Sequence, residues 1–301
     1  MMKSQSAMEY LMTYGWAILI IAVVLAVLFQ LGVFSSGNFQ PHAQAGACQV
    51  SRTVAGVSLE GQCNGLLPEF VAQFSQTPAG YVIATLPTQN PSQITISYWI
   101  DPVNNGDWGD PCGSDNDWQL PIYAALGGTE SFDIIMETCN VNPNLGTDFD
   151  IAQPGYARLT APSGYLVPNT WKQVTATFDG THMNIYVDGQ LAAGPASSNG
   201  NYIYSFNTFR ISGEDPLATT DGGNPVSGYM ANIQLYNISL SASEIQALYL
   251  EGIGGAPIRP QNIVGWWPLN GNGNDYSGND NNGQLNSVTF SSSWENSYTA
   301  P

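Results

Sequence analysis

Two stretches of this chain concentrate side chains able to hold a ligand. The first, Asn104 to Trp118, gathers the carboxylates Asp107, Asp110, Asp115 and Asp117 and the indoles Trp108 and Trp118 around Cys112. Carboxylates mixed with backbone carbonyls suit a hard cation such as calcium, and an exposed indole face suits a sugar ring. The same composition also fits a loop that is merely solvated, with its tryptophans in the core. The second stretch, Asn270–Gly283, offers Asp275, Asn279 and Asp280 among asparagines and glycines, a mixture that equally builds a plain turn. A third loop, with Glu214, Asp215 and Asp221, has no stronger claim.

Catalysis is harder to assemble. Glycoside cleavage needs two carboxylates about 5 Å or about 6.5–9.5 Å apart across the bond. The nearest approach is Asp148-Phe149-Asp150, whose alternation also describes a solvated strand edge. His42 falls in a polar linker and His182 in a hairpin turn, so a Ser–His–Asp arrangement does not form. The chain reads as a non-enzyme.

Net charge is −17 with only 6 Lys plus Arg, which leaves no basic patch for nucleic acid. Cys48, Cys63, Cys112 and Cys139 contain no CxxC pair, so zinc spacing is absent. For an exported domain they suggest disulfides, and of three possible pairings Cys48–Cys63 and Cys112–Cys139 each close a local loop. Buried free thiols are the alternative. Asn237-Ile238-Ser239 is the one N-x-S/T sequon with a permitted middle residue, and marks Asn237 for a glycan on an exported face.

The element that must place all of this is the amino-terminal run. From Tyr10 to Ser51 there is no Asp, Glu, Lys or Arg, and Trp16–Phe34 is almost wholly apolar. At the helical rise that length crosses about 30 Å of hydrocarbon. A secretory signal would have a shorter apolar core and a small-residue cleavage site. Here Lys3 is followed at once by Gln5-Ser6-Ala7-Met8-Glu9-Tyr10-Leu11. This resembles the class III signal peptide of archaeal type IV pilin-like proteins. The resemblance implies cleavage by a prepilin-type peptidase between Ser4 and Gln5, a retained helix, and Glu9 as the acid that pairs with a neighbouring subunit's new amino group in a filament. Pairing would offset the burial of a charge in hydrocarbon. Without cleavage, Glu9 sits at the headgroup level of a signal anchor; Lys3 places the amino end in the cytoplasm on either reading.

Beyond the helix, Ser35–Gly46 reads as a linker, and the segment between Cys48 and Cys63 as a disulfide-closed hairpin neck. From Phe70 the signal is β. Ile94, Ile96, Tyr98 and Ile100 alternate on one face of a strand. Trp171–Phe178, Met183–Val187 and Gln190–Ala193 form a meander whose second turn is Asp188-Gly189. Tyr229–Tyr236 alternates with Tyr229, Ala231, Ile233 and Leu235 inward. A helix follows, opened by the capping box Ser241–Glu244, striped by Ile245, Leu248 and Tyr249, and stopped at Gly252.

The order WKQVTATFDGTHMNIYVDGQL, FRISG, SGYMANIQLYNISLSASEIQALY resembles the laminin-G-like, concanavalin A-like jelly roll. That resemblance implies an all-β head of two antiparallel sheets on a single N-terminal transmembrane or pilin-like α-helix. It also implies a structural calcium near the DxSGN turn, at Asp275, Asn279 and Asp280. The glucanases of this fold carry an ExDxE triplet, which is absent here. VGWWPLNGNGNDYSGNDNNGQL resembles the segment that normally opens such a domain, yet it stands last. The remaining chain is too short for a second sandwich, so a circular permutation is expected, with donation to a neighbouring subunit as the alternative.

The organisation expected is therefore a leader at 1–4, a helix at 5–34, linker and neck at 35–65, and a jelly roll at 66–301 whose opening segment is 264–290. The expected function is adhesion or glycan recognition at the cell surface, on a membrane or a filament of like subunits. The alternatives are a monomeric membrane-anchored lectin-like protein and an exported glycan-acting hydrolase.

Overall fold

The computed structural model describes residues 4–30 (side chains for 14–27), 42–43, 50–52, 59–61, 66–103, 118–137, 145–152, 155–214 and 224–301. Two compact units divide the chain, 1–40 and 41–301. In the first, helix α1 spans Ser4–Gln30. Every residue from Tyr14 to Val27 is exposed, including Trp16, Leu19 and Leu25. Among the described residues no helix is long and apolar enough to cross a membrane.

The second unit begins with short strands, β1 (His42–Ala43), β2 (Val50–Arg52), β3 (Leu59–Gly61) and β4 (Leu67–Pro68). β2 and β3 form an antiparallel pair, with Val50 opposite Gly61. β3 runs beside the 3₁₀ turn Pro260–Asn262. His42 and Ala43, expected in a free linker, instead pair in parallel with Leu67 and Pro68. The four cysteines lie outside the described residues.

Next come β5 (Val71–Phe74), β6 (Tyr81–Gln89), β7 (Ile94–Pro102), β8 (Trp118–Leu126), β9 (Thr129–Glu137), β10 (Leu145–Ile151), β11 (Ala157–Leu166), β12 (Lys172–Phe178), β13 (His182–Val187), β14 (Gln190–Ser197), β15 (Phe206–Ile211) and β16 (Gly228–Tyr236). Helix α2 (Ala242–Leu250) follows, then β17 (Ile263–Trp267), β18 (Gly283–Asn286) and β19 (Thr289–Ser291). A seven-stranded sheet runs β11-β10-β9-β8-β15-β6-β18. An eight-stranded sheet runs β14-β13-β12-β7-β16-β5-β19, with β17 also on β16. Pairings within both are antiparallel. This is a two-sheet antiparallel jelly roll.

Its core lies between the sheets. Ile94, Ile96, Tyr98 and Ile100 of β7 and Val174, Ala176 and Phe178 of β12 meet Phe132, Ile134, Phe149 and Phe209 from the other sheet. The last segment is woven into both layers. β17 and β5 share one edge of β16, β18 extends β6, and β19 extends β5. Trp267 of β17 is fully buried and stacks on Phe209 across the sandwich at 5.0 Å.

β16 corrects the expected alternation. Met230, Ile233 and Leu235 enter the core, whereas Tyr229 and Ala231 pack on the opposite face. Asn232 adopts φ 53° and the register shifts between Ala231 and Gln234, so a bulge reverses the facing halfway along the strand. Helix α2 matches its reading: Ser241 and Glu244 form a reciprocal capping box, Ile245 and Leu248 are buried, and Gly252 follows at φ 78°. Its residues cover part of the outer face of the eight-stranded sheet with Tyr186, Tyr236 and Trp266.

Candidate functional site

Where chemistry collects is the outer face of the seven-stranded sheet. Phe132, Ile134 and Met136 of β9 and Phe149 and Ile151 of β10 point into the core, so the alternate residues Asp133, Asp148 and Asp150 point out. Register then lines up one transverse row over five strands: Arg158 opposite Asp150, Asp150 opposite Asp133, Asp133 opposite Tyr123, and Tyr123 opposite Arg210. Asp148 and Asp150 thus do not form a solvated edge; both are buried on an interior strand.

Arg158 closes one end of the row. Its Nε donates to both oxygens of Asp150 at 3.0 Å and its Nη2 to Oδ2 at 2.6 Å. Its Nη1 lies 3.7 Å from Asp148 Oδ2. The guanidinium also sits 5.3 Å from the centroid of Trp118. At the other end the Arg210 guanidinium lies 4.0 Å over the Tyr81 ring of β6.

Between these cations lie the carboxyl groups. The hydrogen bonds from Arg158 to Asp150 raise the guanidinium pKa further and keep it charged. Burial pushes Asp150 up, with Arg158 opposing that shift. Burial pushes Asp148 up to about 6, with Glu137 adding to it. Asp133 is raised well above the ordinary carboxylate range, first by burial and then by the charges of Glu130 and Asp150. Asp133 is 6% exposed, and its Oδ1 has no hydrogen-bond partner among the described residues.

Tyr156 connects this buried row to solvent. Its hydroxyl donates to Glu130, 2.9 and 2.8 Å from the two carboxylate oxygens, while the residue is 55% exposed. The backbone N–H of neighbouring Gly155 donates to Asn201 Oδ1 at 2.9 Å, which brings the following residue, Tyr202, to the same corner at 53% exposure. Burial and the charges of Glu130, Asp133 and Asp150 raise the Tyr156 phenol.

Such a face presents acceptors, a forked donor and exposed rings, the groups that recognise polyhydroxylated rings. It is poorly arranged for hydrolysis. Asp148 and Asp150 are covered completely, and Asp150 is held in a bidentate ion pair.

Of the expected ligand residues, Asp107, Trp108, Asp110, Asp115 and Asp117 lie outside the described residues. Trp118 opens β8 beside the row, half-buried beneath Arg158. The Asp275 turn is described in full. Asp275 Oδ1 accepts from the backbone N–H of Trp266 and Ser277, and Oδ2 from the Ser277 hydroxyl and the Asn281 N–H. Those four donors use the acceptor capacity of both oxygens. Asn279 Nδ2 donates to the carbonyls of Ile263 and Val264, and Asp280 is exposed at φ 57°. This set ties the turn to β17 and does not fit a calcium site. Among the described residues no group of three or more His, Cys, Asp or Glu is placed to hold a metal. Asn237 is exposed just after β16, its Oδ1 accepting from Asn262.

Sequence reasoning missed Asp133, Glu130, Tyr156, Arg158 and Arg210 as a group. The signal lay in acid-containing strands whose alternate residues were apolar, but joining them needs the strand order.

Comparison with known families matches residues 76–246 to the family described as the concanavalin A-like lectin/glucanases superfamily, Laminin_G_3. Comparison with curated proteins gives no match. Among solved structures, a heptameric SAP-like pentraxin from Limulus polyphemus superposes with a TM-score of 0.51 at 15% identity, over 73% of this chain and 93% of its own. A structure described as a putative carbohydrate binding protein from Bacteroides ovatus superposes with a TM-score of 0.50 at 18% identity, over 80% of this chain and 65% of its own. At these identities the likeness is one of fold.

Proposed function

The chain belongs to the concanavalin A-like lectin/glucanases superfamily, and we propose that its jelly roll is a non-enzymatic, glycan-recognising head presented at the cell surface. The observation that carries this reading is the row from Arg158 to Arg210 with Tyr156 and Tyr202 at its rim. It joins hydrogen-bonding groups to exposed rings on one sheet face. A glycan array probed with the full chain in detergent micelles tests it. Binding that is lost in Tyr156→Ala supports the reading, and an array with no bound glycan rejects it.

In the same proposal α1 is the retained helix of a type IV pilin-like subunit, cut between Ser4 and Gln5 by a prepilin-type peptidase, with Glu9 pairing in a filament of like subunits or lying at the membrane surface. The charge-free run from Tyr10 to Ser51 and the exposed apolar surface from Tyr14 to Val27 support this. Peptide mapping of the mature amino terminus decides it: a start at Gln5 supports the pilin pathway, and an intact Met1 favours a monomeric membrane anchor. The terminal strands β17–β19 support reading the head as a circular permutation of the family's usual order.

A further inference from the structure

Among the described residues of the head exposed aromatic rings are few, and two of them share one corner. Tyr156 and Tyr202 flank the contact between Gly155 and Asn201, each more than half exposed. Behind them the carboxyl groups of Glu130, Asp133, Asp148 and Asp150 lie in or beside the row that Arg158 and Arg210 close. The Tyr156 hydroxyl is committed to Glu130, which fixes the ring and leaves it for a ligand. Asp133 adds a buried oxygen, Oδ1, that nothing described satisfies.

A neutral sugar would use the rings and hydroxyl contacts, and would leave the buried Asp133 oxygen unmet. A uronic acid would be repelled by it. A protonated amine gains twice, from the aromatic face and from the carboxylates beneath it. We propose that the Tyr156–Tyr202 corner selects sugars carrying a protonated amine, with the otherwise unsatisfied Asp133 Oδ1 as the acceptor that the ammonium meets from below. This rests on the glycan reading and sharpens it.

The probes are fully deacetylated chitosan oligomers, N-acetylated chitin oligomers of equal length, and oligogalacturonate, titrated calorimetrically into the full chain in detergent. The amine form is expected to bind about tenfold more tightly than the acetylated form at low salt. That advantage shrinks as salt rises and the charges are screened. Asp133→Asn, which preserves shape but cannot ionise, should bring the ratio towards unity by weakening the amine form more than the acetylated form. Tyr202→Ala, at the surface, should weaken both forms. Equal or tighter binding of the acetylated or acidic oligomer overturns the amine preference while leaving glycan recognition standing, as does a ratio that Asp133→Asn does not move. Failure of all three probes together with an empty glycan array removes glycan recognition itself.

Discussion

At the scale of single residues, what distinguishes this head is how much charge it buries on one sheet. Arg158 is the counterion that makes this tolerable, and removing it would leave Asp150 covered and unpaired. Loss of one partner of a fully buried pair costs about 3–5 kcal/mol; because Arg158 is 37% exposed, Arg158→Ala is expected to cost about 2 kcal/mol. Urea unfolding followed by tryptophan fluorescence measures this, and an unchanged midpoint would show that the ion pair contributes nothing. The other carboxylates give a pH dependence. Asp101, raised to about 6 by burial despite its bond from the Ser297 hydroxyl, and Asp148, raised to about 6, both hold protons more tightly folded than unfolded. Stability therefore falls as pH rises from the ordinary carboxylate range through about 6, and levels off above it. Asp133 shifts in the same direction. Asp179 and Glu244 are shifted downward and act in the opposite sense, below that window. The expected result is a higher Tm at pH 5 than at pH 7, read by circular dichroism; a Tm that rises with pH over this interval contradicts the assignment.

At the scale of elements, two polar knots hold the terminal strand in place. Asn232, at the bulge of β16, donates to the Gly255 carbonyl and accepts from Trp266 Nε1 and from Gln234. Asn232→Gly keeps the left-handed backbone but loses these bonds, leaving buried groups unsatisfied, and is expected to cost about 3 kcal/mol. Asn232→Ala, strained in addition, should cost more, and equal losses would show that the backbone conformation is unimportant. At the other knot, Asp275→Asn replaces two acceptor sites with donors facing donors, and should lower the Tm, whereas calcium or a chelator should leave the stability of this turn unchanged. Strong Tm recovery on adding calcium would restore the cation reading of Asp275, Asn279 and Asp280. These knots explain which parts of the fold were legible beforehand. Strands such as β7 and β12 show period-two patterns that local sequence carries, and the capping box of α2 is local too. The facing of Tyr229 and Ala231 was misread because the bulge at Asn232 is stabilised by Gly255, Trp266 and Pro268, which lie far along the chain. The acidic row was missed for a similar reason: Arg158, Asp150, Asp133, Tyr123 and Arg210 become neighbours only through pairing between strands.

At the scale of the whole molecule, the first and last strands of the head depend on each other. Asn270 accepts from the backbone N–H of Phe70, 200 positions earlier, and Thr289 donates to Gln73 across 216 positions. Deleting residues 263–301 removes β17 from β16, β18 from β6, β19 from β5 and Trp267 from the core. The truncated chain is expected to lose cooperative unfolding and bind hydrophobic dyes, and a sharp native-like transition in it would show that the sandwich is complete without its tail. The same weave has a temporal meaning. Neither sheet has its full complement of strands until β17, β18 and β19 have been made, so the two layers cannot close while only the residues before 263 have left the ribosome.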